Sequence, residues 1–444
     1  MYYKNQAMNI IIIGGGFAGL KLARSLNNKA GIDVTLIDKF NFHQFQPLFY
    51  QVATAGLDAS NISFPLRKVF QKSKNIRVRL AEVKQIVAEE NIVITSIGNF
   101  KYDYLVIATG ADTNFFGNTA LQQNAFPMKS TVEALQIRYR LLQNIEDALT
   151  LTDKKEIEKL LSIVVVGGGP TGVEVSGALA EMKKYVLPKD YPEIDFSLMK
   201  IYLLEGTNRT LVSMSEKSSK HSFEYLEKLG VEVKLNSLLQ AYDGNVVQLK
   251  DGTEIYSKTV IWAAGIKGNV PDGIDKDLIV RGNRIKVDRQ NKILQQKNIY
   301  ALGDVAYMET PKYPNGHPQV ANVAINQAVV LAKNFINIQA GKQKLLEFEY
   351  HDKGSMATVG RNLAVVDFPK PKLHFKGWFA WYIWMGLHLF LLVGVKNRVQ
   401  VFVNWMYNYF TYDQNLRLIF KEFKKPKIMS KKNFFTENEK RISA

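Results

Sequence analysis

Ile10-Ile11-Ile12-Ile13-Gly14-Gly15-Gly16-Phe17-Ala18-Gly19 and, 153 residues further on, Ile163-Val164-Val165-Val166-Gly167-Gly168-Gly169-Pro170-Thr171-Gly172 follow one pattern. An unbroken β-branched run reads as a strand covered on both faces. Gly-x-Gly-x-x-Gly then opens a helix. The first glycine allows the tight turn, the second lets the backbone approach a pyrophosphate, and the third lets helix pack on strand. Unpaired N–H groups at the helix start supply the donors for that anion. Each unit closes on a second strand ending in an acid that can accept from a ribose: Val34–Ile37 into Asp38, and Ile201–Leu204 into Glu205. Asp38 lies 24 residues after Gly14, near the usual spacing, whereas Glu205 lies 38 after Gly167. Lys183–Asp195, with two prolines, reads as the insertion responsible. Two Rossmann-type domains are therefore predicted in one α/β chain.

Other segments echo one another. Tyr104–Ile107 reads as a strand running into Ala108-Thr109-Gly110, and Val260-Ile261-Trp262 runs into Ala263-Ala264-Gly265. Ile299–Leu302 leads to a Gly303-Asp304 turn, and Pro318–Ile336 carries a helical pattern. Two dinucleotide sites fit one bound cofactor and one exchangeable substrate, most commonly a flavin with a nicotinamide. Glu205 favours NADH, because a carboxylate repels a 2′-phosphate; Arg209 nearby reads as a surface cation. Asp304 can accept from a flavin's ribityl chain or cap its turn, and the two roles are compatible.

The chain has 444 residues and a net charge of +17. Residues 341–444 hold 18 Lys/Arg against 8 Asp/Glu, and four of the five tryptophans lie after position 377. Residues 375–412 contain 13 aromatics, and Trp378–Val395 has no formal charge. Trp378, Trp381 and Trp384 recur every three residues and are expected on one helical face. Indoles beside lysines suit the headgroup level of a membrane better than nucleic acid. A helix lying in the interface is favoured; a spanning helix and a dimer interface are the competing readings. Residues 421–441 form a basic tail with eight Lys/Arg. No targeting segment is read at the N-terminus.

There is no cysteine. That excludes disulfides, iron–sulfur ligation and thiol chemistry. The six histidines share no metal-ligand spacing, so no metal is expected, and no hydrolase or ATPase motif is present.

These residues together resemble the two-dinucleotide-binding-domain flavoproteins, and more narrowly the type II NADH dehydrogenases (NADH:quinone oxidoreductases). The narrower likeness lies in Asp38–Gly56, in Pro170-Thr171-Gly172-Val173-Glu174, in Pro318–Ala328 and in the aromatic, basic C-terminus. It implies a glutathione reductase-like fold with a C-terminal amphipathic-helix membrane-anchoring region. An FAD domain would occupy residues 1–120 and 280–340, an NADH domain 121–279, and the anchoring region 341–444. The FAD contacts implied are Gly14, Gly16, Phe17, Ala18, Gly19, Asp38, Lys39, Gln46, Pro47, Val83, Ala108, Thr109, Gly110, Asp304, Val320 and Ala321. Those implied for NADH are Gly167, Gly169, Pro170, Thr171, Gly172, Glu205, Ala264 and Gly265.

By the same resemblance Glu174 lies near nicotinamide and flavin, and Asn322, Asn326 and Gln327 lie at the quinone. The family usually has glutamine at the places of Asn322 and Asn326; asparagine keeps the amide but shortens its reach by one methylene. A first-turn acid complementing the helix dipole is the structural alternative for Glu174; helix packing is the alternative for the amides. The function implied is hydride transfer from NADH to FAD, then two electrons to a membrane quinone, without ion pumping. A reductase of a soluble ferredoxin-type acceptor and a non-catalytic redox sensor are the alternatives. The protein is expected as a monotopic protein on the cytoplasmic face of the cell membrane, seated through residues 376–432. No nucleic acid partner is expected, and a homodimer through the same region is compatible. Loss of residues 376–444 is expected to release it in soluble form.

Overall fold

The computed structural model describes residues 7–413 and 416–420. The basic tail at 421–441 lies outside the described residues.

The first glycine motif joins β1 (Met8–Ile13) to α1 (Phe17–Leu26), followed by β2 (Ile32–Asp38). The chain then adds a short helix α2 (Phe49–Ala53), β3 (Ile76–Leu80), β4 (Tyr104–Ile107) and β5 (Ala111–Thr113). The second domain opens with β6 (Phe126–Pro127) and α3 (Thr131–Ala148). Its glycine motif joins β7 (Ile163–Val166) to α4 (Pro170–Glu181). It continues through β8 (Ile201–Leu204), α5 (Glu216–Lys228), β9 (Glu232–Lys234), β10 (Thr259–Trp262) and β11 (Ile266–Gly268). The chain returns to the first domain with β12 (Ile299–Ala301) and α6 (Ala321–Gln339).

Both main sheets are five-stranded and parallel. The first runs β12-β4-β1-β2-β3, the second β6-β10-β7-β8-β9. The motif strand is central in each, as the β-branched runs require. Ile10 and Ile12 enter one core while Ile11 and Ile13 enter another on the opposite face. Ile163 and Val165 divide from Val164 and Val166 in the same way. A two-stranded antiparallel pair, β5 with β11, joins the domains.

The sheet order explains the echo between Ala108-Thr109-Gly110 and Ala263-Ala264-Gly265. Each follows the strand beside the motif strand, so each backs onto the first glycine. A Cβ on Gly14 would lie 2.3 Å from the Ala108 carbonyl oxygen; one on Gly167 would lie 2.7 Å from that of Ala263. Both glycines also take positive φ, +105° and +109°, where other residues are strained.

The insertion read at Lys183–Asp195 begins as helix. A π-helical turn over Met182–Val186 prolongs α4, and a short helix over Leu187–Asp190 follows, with Pro188 where its missing N–H costs nothing. The helix expected over Pro318–Ile336 runs three residues later, because the chain is still extended at Val320.

The C-terminal region is an antiparallel sheet, β13 (Ser355–Gly360), β14 (Leu363–Pro369) and β15 (Lys372–Lys376), followed by α7 (Gly377–Leu391) and α8 (Val395–Thr411). The uncharged run breaks at Gly394, whose φ of +88° turns the chain between the helices. Arg398 closes that turn, donating to the Leu392 and Phe390 carbonyls at 2.8 Å each. Among the described residues, no helix is long and apolar enough to cross a membrane.

The tryptophans do not share one face. Successive steps of three leave a helical residue 60° out of phase, so Trp378 and Trp384 point 120° apart. Trp378 is 63% exposed and Trp384 only 2%.

Candidate functional site

The two glycine turns are built alike, down to their acids. Asp38 Oδ2 accepts from the Gly15 N–H, and Oδ1 accepts from Phe40 N–H at 2.7 Å. Glu205 Oε2 accepts from Gly168 N–H, and Oε1 accepts from Thr207 N–H and Oγ1–H at 2.8 Å. Each acid thereby braces its own glycine turn, and a carboxylate has acceptor capacity left for ribose hydroxyls. Burial raises the Asp38 carboxyl, opposed by its N–H donors and by Lys39. Arg209 Nη2 donates to the Val212 carbonyl at 3.1 Å.

Whether the turns fit dinucleotides can be judged from the middle glycines. Nothing lies within 4 Å of a Cβ placed on Gly16 or on Gly169. Neither α1 nor α4 has a side chain capping its first N–H groups. Open space over free, positively polarised donors is what a pyrophosphate needs. Phe17 and Ala18 open α1, and Pro170 and Thr171 open α4. Gly19 and Gly172 let these helices close on their strands: a Cβ on either would lie 1.8 Å from the carbonyl oxygen of the first glycine. Thr109 Oγ1 is turned to the Asn269 carbonyl, and Gly110 leads into β5. Val83 follows shortly after β3, which pairs with β2 as far as Asp38, so it lies at the same strand-end edge.

Asp304 sits in a short turn packed against the start of α6. Burial raises its carboxyl, opposed by Lys129 and Arg284. Gln327 is buried and accepts from Gly303 N–H at 2.8 Å; Gln319 Nε2 donates to the Asp304 carbonyl at 2.9 Å. Val320 and Ala321 begin α6, whose first N–H groups also lack a side-chain cap. Asn322 and Asn326 are half-buried one helical turn apart, with Asn326 Nδ2 donating to Asn322 Oδ1 at 3.1 Å.

A cleft of ≈ 580 Å³, counting its open mouth, lies between the domains. It brings together Gln46 and Pro47 from the first domain with Thr171, Glu174 and Gly265 from the second. Sequence reasoning had not singled out Tyr50, Lys129 or Trp262, which also line it. Ala264 adjoins the cleft residue Gly265, whereas Asn322, Asn326 and Gln327 do not line it.

Glu174 is buried at this cleft. Its carboxyl is pushed up to about 8, chiefly by desolvation, against a long 3.5 Å contact from Thr358 N–H and the nearby Trp384 indole. Trp384 Nε1 completes no hydrogen bond of its own. On the next turn of α7, His388 stacks on Trp384 at 4.1 Å between ring centres. Its Nδ1 lies 2.7 Å from the Trp384 carbonyl and so carries the hydrogen. Burial pushes the imidazole down to about 4, leaving it neutral. Thr358 and Trp384 reach Glu174, and His388 reaches Trp384, only through C-terminal packing, and no local sequence signal marks them. Among the described residues no group of three His, Asp or Glu could hold a metal.

Two open phosphate cradles in one two-domain chain, with no thiol, fit two bound dinucleotides, as in a flavoprotein that exchanges electrons with a nicotinamide. The family model for pyridine nucleotide-disulphide oxidoreductases matches residues 8–328, and the NDH2 C-terminal domain matches residues 352–412. The chain is 36% identical over 412 residues to the type II NADH:quinone oxidoreductase NdhA of Mycobacterium tuberculosis, covering 89% of this chain and 86% of that protein. It is 29% identical to the type II NADH:quinone oxidoreductase of Haemophilus influenzae, with 86% and 92% covered. The fold matches NDH2 from Plasmodium falciparum in complex with NADH, at TM-score 0.83 and 23% identity, over 93% of this chain and all of that one. The sulfide:quinone oxidoreductase of Aquifex aeolicus shares the fold at TM-score 0.67 and 20% identity, with 91% and 95% covered. The chain belongs to the type II NADH:quinone oxidoreductases. It uses FAD and NADH and passes electrons to quinone without pumping ions.

Proposed function

We propose roles for this chain's own residues in that reaction. Bound FAD would supply the redox chemistry, a hydride acceptor for NADH and a two-electron donor for quinone. The turn at Gly14–Gly19 with Asp38 holds its pyrophosphate and ribose, and the turn at Gly167–Gly172 with Glu205 holds those of NADH. Thr171, Glu174 and Gly265, with Ala264 adjoining, bound the second domain's side of the cleft; Gln46 and Pro47 bound the first domain's. Their convergence at one cleft is the observation that carries this reading. The pairing of β5 with β11 supports domain crossings near residues 113 and 266, beside the sequence boundaries at 120 and 280.

Glu174 keeps its proton at neutral pH, and it holds that proton beside the reacting groups. The Asn322–Asn326 amide pair contacts the quinone. Gln327 is a positioning residue that fixes the Gly303–Asp304 turn. The outward faces of α7 and α8 seat on anionic lipid, with Lys376 and Lys396 at the headgroups, at the cytoplasmic surface where juxtamembrane lysines find such lipid.

Asn326→Ala tests the quinone assignment. It is expected to lower turnover with a short-chain quinone about tenfold, in keeping with a lost hydrogen bond, while turnover with ferricyanide holds. Equal losses with both acceptors would make Asn326 structural.

A further inference from the structure

A chain of hydrogen bonds runs from α8 to the reaction cleft, and its donors and acceptors can be assigned without ambiguity. An indole N–H only donates. Trp405 Nε1 donates to Gln51 Oε1 at 2.7 Å. That fixes the Gln51 amide, so its Nε2 makes the second contact, donating to the Tyr50 phenol oxygen at 2.8 Å. A phenol oxygen that accepts from Gln51 keeps its own hydrogen for another partner. Tyr50 is buried and lines the cleft beside Thr171 and Glu174.

We propose that Trp405 and Gln51 are positioning residues that hold the Tyr50 hydroxyl as a hydrogen-bond donor into the cleft, toward a carbonyl-type oxygen of the ligand reacting there. The proposal rests on this cleft being the reaction site. The surroundings suit a permanent donor: burial first, then the charges of Glu174 and Glu181 on α4, push the phenol well above its ordinary value. Lys129 is the cation lining the same cleft. Quinone, nicotinamide and flavin all carry conjugated carbonyls, so the acceptor chemistry is shared and the source is left to the experiment.

Gln51→Glu is the discriminating variant. An ionised carboxylate still accepts from Trp405 but has no N–H to give Tyr50, so the phenol turns its hydrogen back toward position 51. In the full-length holoenzyme near pH 9, Gln51→Glu and Tyr50→Phe should each lower kcat about tenfold, one well-placed donor's share. The double variant should be no slower than either alone. At about pH 6 the introduced carboxyl, raised by its partly buried place beside Tyr50, takes up a proton and regains a donor. Gln51→Glu then recovers while Tyr50→Phe does not.

Three readouts identify the acceptor. Loss with quinone but not ferricyanide assigns it to quinone. Loss with both acceptors and weaker NAD⁺ binding by titration assigns it to nicotinamide. Loss with both, unchanged NAD⁺ binding and a displaced flavin absorbance band assigns it to the flavin. Wild-type behaviour of Tyr50→Phe in all three overturns the proposal, as do multiplicative losses in the double variant or no recovery of Gln51→Glu in acid. If Glu174→Gln is silent as well, the cleft itself has been misassigned; if only Tyr50→Phe is silent, the error lies in the Tyr50 assignment. Thermal unfolding of each variant separates these effects from loss of fold.

Discussion

At the scale of single residues, Glu174 is the carboxyl most at odds with its surroundings. Its folded value of about 8 exceeds the ordinary 4.5, and the sign of the linkage follows. Below about 4.5 both folded and unfolded chains carry the proton, and burial is free of this cost. As pH rises toward about 8, the unfolded chain ionises while the folded one holds its proton, so stability falls across that window and levels off above it. Glu174→Gln removes the group: its Tm should match wild type near pH 4.5 and exceed it by several degrees near pH 8.5. Quinone turnover of the wild type should fall as pH passes about 8, and the variant should be slower but lack that descending limb. Superimposable pH profiles would show that Glu174 carries no proton relevant to turnover. The position of Glu174 was legible in the second glycine motif. Its protonation was not, because it comes from burial, and the elements that carry Thr358 and Trp384 beside Glu174 lie far along the chain.

At the scale of elements, the legible parts were those whose pattern is local. Strands buried on both faces announce themselves as β-branched runs, and the glycine turns carry their spacing in the sequence. The break at Gly394 was less visible, because a glycine in an apolar run costs little until its φ is known. Least visible was the junction of α4 with β13. A Cβ on Gly177 would lie 1.6 Å from the Val359 carbonyl oxygen, so helix and strand meet backbone to backbone. Gly177→Ala pits two effects against each other. Helix propensity would gain about 1 kcal/mol. Displacing a strand backbone costs about 1–3 kcal/mol or more, since no rotamer can yield. The clash should win: Tm falls, and because β13 carries the Thr358 contact, the alkaline limb assigned to Glu174 should move as well. A variant with wild-type Tm and an unmoved limb would mean that β13 tolerates a methyl group there.

At the scale of the whole molecule, the C-terminal helices have two faces with different duties. Trp384, Met385, Leu392, Val401 and Trp405 belong to the same core cluster as the second domain's strands. Asn397 Nδ2 lies 3.0, 2.9 and 3.1 Å from the Ser60, Asn61 and Ser63 carbonyls. Deleting residues 376–444 therefore strips a wall from the domain pair and bares Glu174. The expected product is an aggregating chain that loses flavin, rather than a soluble enzyme. The opposite face can be changed without touching that core. Phe390, Val395, Val399, Phe402 and Phe410 are all exposed, and those on α8 recur at helical spacing, forming an apolar stripe that the described residues leave uncovered. Replacing Phe390, Val399 and Phe410 together by serine should leave Tm and NADH:ferricyanide activity near wild type. Affinity for anionic vesicles should fall about a thousandfold or more, because each large side chain contributes about 1.5–3 kcal/mol when fully buried. Retained vesicle binding would exclude this face as the lipid seat. Retained binding together with a halved hydrodynamic mass would assign the face to a second copy of the chain.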